Sequence, residues 1–310
     1  MKVLIVDQMH PSIVDMLREV DMEADYQPYM RAEEILQCIG NYEGLIIRSK
    51  MKLQQTFFEK AQKLRFIGRA GSGLELIDLS LANQKGIEVI NAPEGNRDAV
   101  AEHALGMLLM LFNHLKRADA EVRQYIWQRE ANRGLELKGK TVGIIGYGNV
   151  GKEFAKRLTG FSCRVLAYDH KKKGYGDAYA EEATMQQIFE EVDVLSLHVS
   201  INEESTHLVN DAYLQSFKKN IFLINTSRGE VIDLAALQKA LQHGKVRGAC
   251  LDVLENEKIS ILTPSQKETF DWLSKAENVL FSPHIAGWTQ ESYLRINEVL
   301  IDKLKSLVFV

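Results

Sequence analysis

Short apolar runs alternate with amphipathic stretches along the whole chain, the pattern of a parallel α/β protein. In the first part the runs are Lys2–Val6, Gly44–Ile47, Leu64–Ile67 and Val89–Ile90. Each is brief and apolar, as expected of parallel strands covered on both faces. Ala32–Ile39 and Thr56–Ala61 carry helical spacing between them. A second series follows Lys138–Lys140: Thr141–Ile145, Arg164–Tyr168, Val194–His198, Ile221–Ile224, Arg247–Leu251 and Val279–Phe281. These six strands with intervening helices make a complete doubly wound sheet. The expected fold class is therefore α/β, with two doubly wound parallel-sheet lobes and a cleft between them.

The segment Asp98 to Arg123 joins the two series and has one long helical pattern, unusually apolar from Ala99 to Phe112. Most of it is expected to be a buried core helix. A helix this apolar needs cover on more than one side, so a surface shared by two subunits is expected as well.

Composition narrows the classes. The 310 residues are 45% hydrophobic and 26% charged, an ordinary globular balance. A net charge of −4 offers no global basic field, so neither nucleic acid nor an anionic membrane is an expected partner. The longest apolar stretch, Ala104 to Phe112, is too short to span a bilayer, and Met1 to Asp7 has a strand's pattern rather than a signal's. Cys38, Cys163 and Cys250 lack metal-ligand spacing and are expected to be reduced, buried and cytoplasmic; no metal site is expected.

The strand Thr141–Ile145 leads into Gly146-Tyr147-Gly148-Asn149-Val150-Gly151 and then the helix-like Lys152–Leu158. Alone, such a glycine pattern is weak evidence; between a strand and a helix it marks a dinucleotide loop. Gly146 permits the tight turn, Gly148 lets backbone approach a pyrophosphate, and Gly151 lets the helix pack close. Asp169 ends the next strand, where a carboxylate binds ribose hydroxyls and repels a 2′-phosphate, favouring NAD over NADP. Lys171-Lys172-Lys173 follows at once and keeps a 2′-phosphate in play; its bland alternative is a solvated run. His198, at the end of its strand, joins the cofactor-binding candidates.

Three later turns each follow a strand of the second series: Asn225-Thr226-Ser227-Arg228-Gly229, Asp252-Val253-Leu254-Glu255-Asn256-Glu257 and Ser282-Pro283-His284-Ile285-Ala286-Gly287. Ligands of doubly wound sheets bind beyond the carboxyl ends of strands. Taken singly, the arginine is a surface ion pair and the histidine a satisfied structural residue. Beside a dinucleotide they supply what hydroxyacid oxidation needs. A guanidinium holds a carboxylate, an imidazole takes the hydroxyl proton, and a neighbouring carboxylate favours the imidazolium.

On these motifs the chain resembles the D-isomer-specific 2-hydroxyacid dehydrogenase family over essentially its whole length. The resemblance implies a Rossmann NAD-binding domain over residues 98–287. It also implies a flavodoxin-like substrate-binding domain over 1–97 and 288–310, and a homodimer. It implies that Arg228 binds the substrate carboxylate, that His284 is the acid/base and that Glu257 supports it. Asp169, Thr226 and Asp252 would meet the cofactor, Asp252 at the nicotinamide amide. The chain departs from the family pattern in four places. Lys258 stands where proline usually follows the glutamate, and the stretch from Lys258 to Ala276 is longer than usual. Ser227 replaces a common alanine, and Trp288 a small residue. Glu255 is the alternative carboxylate.

Ile46-Ile47-Arg48-Ser49, Gly68-Arg69-Ala70-Gly71-Ser72-Gly73 and Asn91-Ala92-Pro93-Glu94-Gly95-Asn96 are similar to segments of 3-phosphoglycerate dehydrogenases. Gly71 and Gly73 would free backbone N–H groups for a carboxylate, with Ser72 and Asn96 beside them. Arg48 and Arg69 would engage a phosphate, against the alternative of inter-lobe salt bridges. The implied reaction is oxidation of 3-phosphoglycerate to 3-phosphohydroxypyruvate, the entry to serine synthesis. Reduction of glyoxylate, hydroxypyruvate or another 2-oxoacid is the alternative, and an NAD(H)-sensing corepressor-like protein a remote one. Ending at Val310, the chain would lack the regulatory extension of longer relatives, and serine feedback through it is not expected.

Overall fold

The computed structural model describes residues 1–307 and divides the chain into two compact units, Met1–Arg97 with Trp288–Val310, and Asp98–Gly287. The described residues of the first unit form a five-stranded sheet. Its strands are β1 (Lys2–Ile5), β2 (Glu23–Tyr26), β3 (Gly44–Ile47), β4 (Phe66–Arg69) and β5 (Glu88–Asn91), in the order β2-β1-β3-β4-β5. All pairings are parallel. The winding reverses between β1 and β3, so the segments leaving these two strands flank a topological switch point. Val3, Ile5, Ile46 and Phe66 bury against Ile296, Leu300, Ile301 and Leu304 of the helix Gln290–Ser306.

β4 lies two residues later than its apolar run suggests, and its register explains why. Gly44 pairs with Phe66, and a Cβ on Gly44 would sit 2.3 Å from the Phe66 ring. The missing side chain is the seat of the phenyl group, which pins Ile47 opposite Arg69. Arg69 therefore closes the strand.

The second unit carries a seven-stranded sheet among its described residues. Its strands are β6 (Thr141–Ile145), β7 (Arg164–Tyr168), β8 (Glu181–Glu182), β9 (Val194–Leu197), β10 (Ile221–Asn225), β11 (Val246–Leu251) and β12 (Val279–Phe281). The order is β12-β11-β10-β9-β6-β7-β8, parallel throughout. Apolar layers cover both faces, one built on Leu195, Leu223 and Leu251, the other on Ile144, Ile224 and Cys250. Cys250 is buried as expected; Cys38 and Cys163 are only half-buried, and all three are free thiols.

The long helix expected from Asp98 to Arg123 is two helices, Pro93–Phe112 and Leu115–Arg123. His114 between them takes φ +51. The Phe112 carbonyl, which a continuing helix would use, accepts instead from Leu135 N–H at 2.9 Å. Ala101, Ala104 and Leu108 of the first helix are fully buried, while Met110 is exposed. The long stretch after Lys258 folds into a turn (Ile259–Ile261) and the helix Pro264–Lys275, which Thr263 and Gln266 cap reciprocally.

Candidate active site

The glycine loop separates three roles. Gly146 has φ +91, and a Cβ there would lie 2.4 Å from the His198 carbonyl oxygen. At Gly151 a Cβ would meet the Gly146 carbonyl oxygen at 2.1 Å, so this glycine lets the helix Asn149–Leu158 close on the strand. Gly148, at the N-cap of that helix, has nothing within 4 Å of an added Cβ. Open space beside bare backbone at a helix start fits a pyrophosphate, and the first-turn N–H groups lack intrahelical acceptors. Gly148→Ala is expected to keep the wild-type Tm and weaken NADH binding about 10-fold or more by fluorescence titration. Gly151→Ala is expected to lower Tm, because the added methyl meets backbone on its own strand–helix turn.

Asp169 braces this loop. Its Oδ2 accepts from Tyr147 N–H and its Oδ1 from Lys171 N–H, both at 3.0 Å. Lys172 donates to the Tyr147 carbonyl at 2.7 Å, drawing one cation of the lysine run onto the loop. The Thr226 hydroxyl is buried without a protein partner among the described residues, an orphan that a cofactor group would satisfy. The His198 ring faces the domain interior. Its Nε2 lies 2.9 Å from Ser196 Oγ, its ring lies 5.3 Å from that of Phe154 at a tilt of 50°, and burial pushes its pKa down to about 3. Its nearness to the glycine loop is thus through its backbone carbonyl.

Three turns extend the carboxyl ends of the adjacent strands β10, β11 and β12. In the first, Asn225 accepts from the Ser227 N–H and hydroxyl (3.0 and 2.7 Å) and donates to the Arg228 carbonyl at 2.9 Å. Ser227, where alanine is more usual, thereby adds a hydrogen bond to the turn. Arg228 Nη1 donates to the Ser227 carbonyl at 2.7 Å. Gly229 lies against the second turn so closely that a Cβ would fall 1.9 Å from the Leu254 carbonyl carbon and oxygen.

Glu257, from the second turn, meets His284, from the third, at 2.8 Å between Oε1 and Nδ1. The hydrogen bond to this carboxylate holds the His284 pKa above its usual value against the opposing effects of burial and Arg228. Glu255, the alternative carboxylate, is occupied elsewhere, with His207 Nε2 at 2.7 Å and Leu234 N–H at 3.2 Å. His284 has φ +54, and its N–H donates to the Asp252 carbonyl at 2.7 Å.

Asp252 itself is buried and accepts from the Ser282 hydroxyl (2.6 Å), Ile285 N–H (2.9 Å) and Ala286 N–H (2.9 Å). His103 Nε2 lies 2.8 Å from Ser282 Oγ and extends this network. The Asp252 carboxylate is therefore first a clamp on the His284 turn. Sequence reasoning gives no role to Ser282 or His103: Ser282 is an uncharged residue of the His284 turn, and His103 lies on a helix whose apolar pattern points to core and subunit surface.

In the other unit, Asp7 Oδ2 accepts from Arg48, Ser49 and Lys50 N–H at 2.6, 3.1 and 3.2 Å. The Arg48 guanidinium carbon stands 4.2 Å from the Trp288 ring centroid. Gly71 has φ +142, and its missing side chain is the space that Arg69 Nη1 fills. The expectation that Gly71 offers a free N–H is corrected: that group donates to the Arg69 carbonyl at 2.9 Å in a tight local turn. Ser72 and Gly73 N–H have no protein acceptor among the described residues. Ser72 Oγ bonds Asn96 Oδ1 at 2.8 Å, and its carbonyl accepts from Asn91 at 2.6 Å.

Residues 105–286 match the model of the D-isomer specific 2-hydroxyacid dehydrogenase family, NAD binding domain. The chain belongs to this family of NAD-dependent oxidoreductases. It is similar to a D-3-phosphoglycerate dehydrogenase of Archaeoglobus fulgidus, 34% identical over 309 residues, 99% of this chain and 57% of that one. It is also similar to a hydroxypyruvate reductase of Thermotoga maritima, 36% identical over 276 residues, 89% of this chain and 88% of that one. The chain thus spans little more than half the length of the phosphoglycerate dehydrogenases it matches. A solved D-lactate dehydrogenase of Aquifex aeolicus, complexed with NAD and lactic acid, superposes with a TM-score of 0.84 at 29% identity. That match covers 98% of this chain and 94% of the other. Among the described residues, no helix is long and apolar enough to cross a membrane.

Proposed function

We propose that this protein oxidises a D-2-hydroxy acid, or reduces the matching 2-oxo acid, through His284, Glu257 and Arg228. The observation that carries the reading is the 2.8 Å pair of His284 Nδ1 and Glu257 Oε1, held on turns that leave adjacent parallel strands. Residues 98–287 serve as the NAD domain. Gly146 to Gly151, Asp169, Thr226 and Asp252 hold the dinucleotide, which supplies the hydride acceptor when bound. With Nδ1 committed to Glu257, Nε2 is the atom of His284 that takes the substrate hydroxyl proton. Arg228 binds the substrate carboxylate and stabilises charge developing on the neighbouring oxygen.

Residues 1–97 with 288 onward form the substrate-binding domain in this reading, and 3-phosphoglycerate is the preferred substrate. Arg48, Arg69 and the Ser72 and Gly73 N–H groups support an anionic ligand, as does the similarity to phosphoglycerate dehydrogenases. Hydroxypyruvate reduction is the second reading, favoured by the Thermotoga relative that the chain matches over most of its length. A homodimer belongs to the same proposal, supported by the exposed Met110, Leu115, Val122, Tyr125 and Trp127 around the second helix of the linking segment.

NADH-oxidation assays with phosphohydroxypyruvate, hydroxypyruvate, glyoxylate and pyruvate test the substrate. Phosphohydroxypyruvate is expected to have the highest kcat/KM, and Arg48→Ala to remove that preference, a loss of about 10-fold or more for one charge-assisted contact. Equal rates with unphosphorylated substrates would overturn the phosphate assignment. No turnover of any 2-oxoacid would favour a sensing role.

A further inference from the structure

The β1/β3 switch point of the first unit is a place where an anion would ordinarily be held by backbone N–H groups after a strand. Here that seat is filled from within. The three successive N–H groups of Arg48, Ser49 and Lys50, leaving β3, all point at the Asp7 carboxylate, which leaves β1. Lys50 Nζ donates to the Pro28 carbonyl at 2.7 Å, which leaves the Arg48 side chain as the cation for a ligand among the described residues of this segment. Its Nη1 is buried and has no hydrogen-bond partner among the described residues, a costly state for a guanidinium nitrogen unless something completes it. The guanidinium carbon lies 4.2 Å from the Trp288 ring centroid, the contact distance of face-on stacking. Trp288 in turn packs against Tyr293 at 5.7 Å, and Tyr293 stands edge-on to His10 at 5.8 Å. His10 is held by Ser12 Oγ at 2.9 Å, and its carbonyl accepts from the buried Asn297 at 2.9 Å. The wall behind Arg48 is therefore continuous into the core.

We propose that Trp288 is a positioning residue that holds the Arg48 guanidinium flat, so that its N–H edge is presented ready-made to an oxyanion of the substrate. A planar fork bonds two oxygens of one phosphate or carboxylate only when its plane is fixed, and face stacking fixes the plane while leaving the edge free. The inference rests on the dehydrogenase reading and adds the residue that sets its anion specificity. Because Trp288 acts through Arg48, its effect falls on KM more than on kcat.

The test uses the full chain. With phosphohydroxypyruvate and NADH, Trp288→Ala is expected to raise KM at least 10-fold while kcat changes less than 3-fold. Trp288→Phe, which keeps an aromatic face, is expected to restore KM to within about 3-fold. In a Trp127→Phe, Trp272→Phe background, Trp288 emission is expected to change saturably on titration with 3-phosphoglycerate. Adding Arg48→Met should abolish that change. An unchanged KM in Trp288→Ala, a Trp288→Phe variant as poor as alanine, or emission that ignores Arg48→Met would each overturn the proposal. Titrations with glycerate and inorganic phosphate separate carboxylate from phosphate as the oxyanion bound. If wild-type kcat/KM is equal for hydroxypyruvate and phosphohydroxypyruvate while emission still depends on Arg48, the phosphorylated-substrate reading falls and the positioning role stands.

Discussion

Replacing His284 with alanine is expected to lower kcat/KM for the preferred 2-oxoacid by about 10³-fold, while the NADH dissociation constant stays within about 3-fold of wild type. The argument is positional. The imidazole is tied at Nδ1 to Glu257, which leaves Nε2 for the substrate proton, and no described contact joins its ring to the glycine loop. Glu257→Gln separates the roles further. The carboxylate is the largest cause of the raised His284 pKa, so the amide should return it toward the ordinary value. Reduction needs the protonated imidazole, and its rate falls as pH rises through the His284 pKa. In Glu257→Gln that descending limb is expected at lower pH, and the ascending limb of the oxidation direction should move the same way. A limb that stays in place would remove Glu257 from the acid/base unit. Turnover by His284→Ala at the wild-type rate would remove the histidine from the chemistry.

The second large effect is conformational. Gly229→Ala would place a methyl 1.9 Å from the Leu254 carbonyl carbon and 2.6 Å from Glu255 N, both backbone atoms of the turn after β11. Backbone cannot rotate aside as a side-chain end can, so the two turns must separate. Gly229 follows Arg228, and the Leu254 turn leads to Glu257, so the separation pulls apart two of the three catalytic groups. The expected outcome is a loss of about 3–5 kcal/mol in denaturant unfolding, together with activity reduced far beyond any unfolded fraction. Gly148→Ala, which meets no atom, is the matched control for stability. Wild-type unfolding in Gly229→Ala would mean that the turns yield more easily than their packing implies.

Most strands were legible because parallel strands covered on both faces are written as short apolar runs; Thr141–Ile145, Arg164–Tyr168 and Val279–Phe281, the last an edge strand, stand at the bounds that their runs predict. The edges were not. Glu23–Tyr26 and Glu181–Glu182 are polar and largely exposed, and periodicity has nothing to read there. The helix break at His114 was equally hidden, because the acceptor it frees is claimed by Leu135, more than twenty positions downstream. At the candidate site the residue types and their turns were readable, since each turn directly follows a strand. What each side chain already bonds to was not: the Gly71 N–H turned back on Arg69, the inward His198 ring and the Asp252 carboxylate clamped on the His284 turn all depend on partners set by tertiary packing.

One consequence concerns how this site can drift. His284 occupies the left-handed backbone region, so the position is selected for a turn conformation as well as for an ionisable ring. Glycine, asparagine and aspartate adopt that backbone at least cost, whereas β-branched residues resist it. A lineage descended from this chain that gave up turnover would be free of the chemical demand but not of the conformational one. Its accessible replacements at 284 would be the small turn-forming residues, and asparagine there would be the signature of a retired enzyme whose loop still folds.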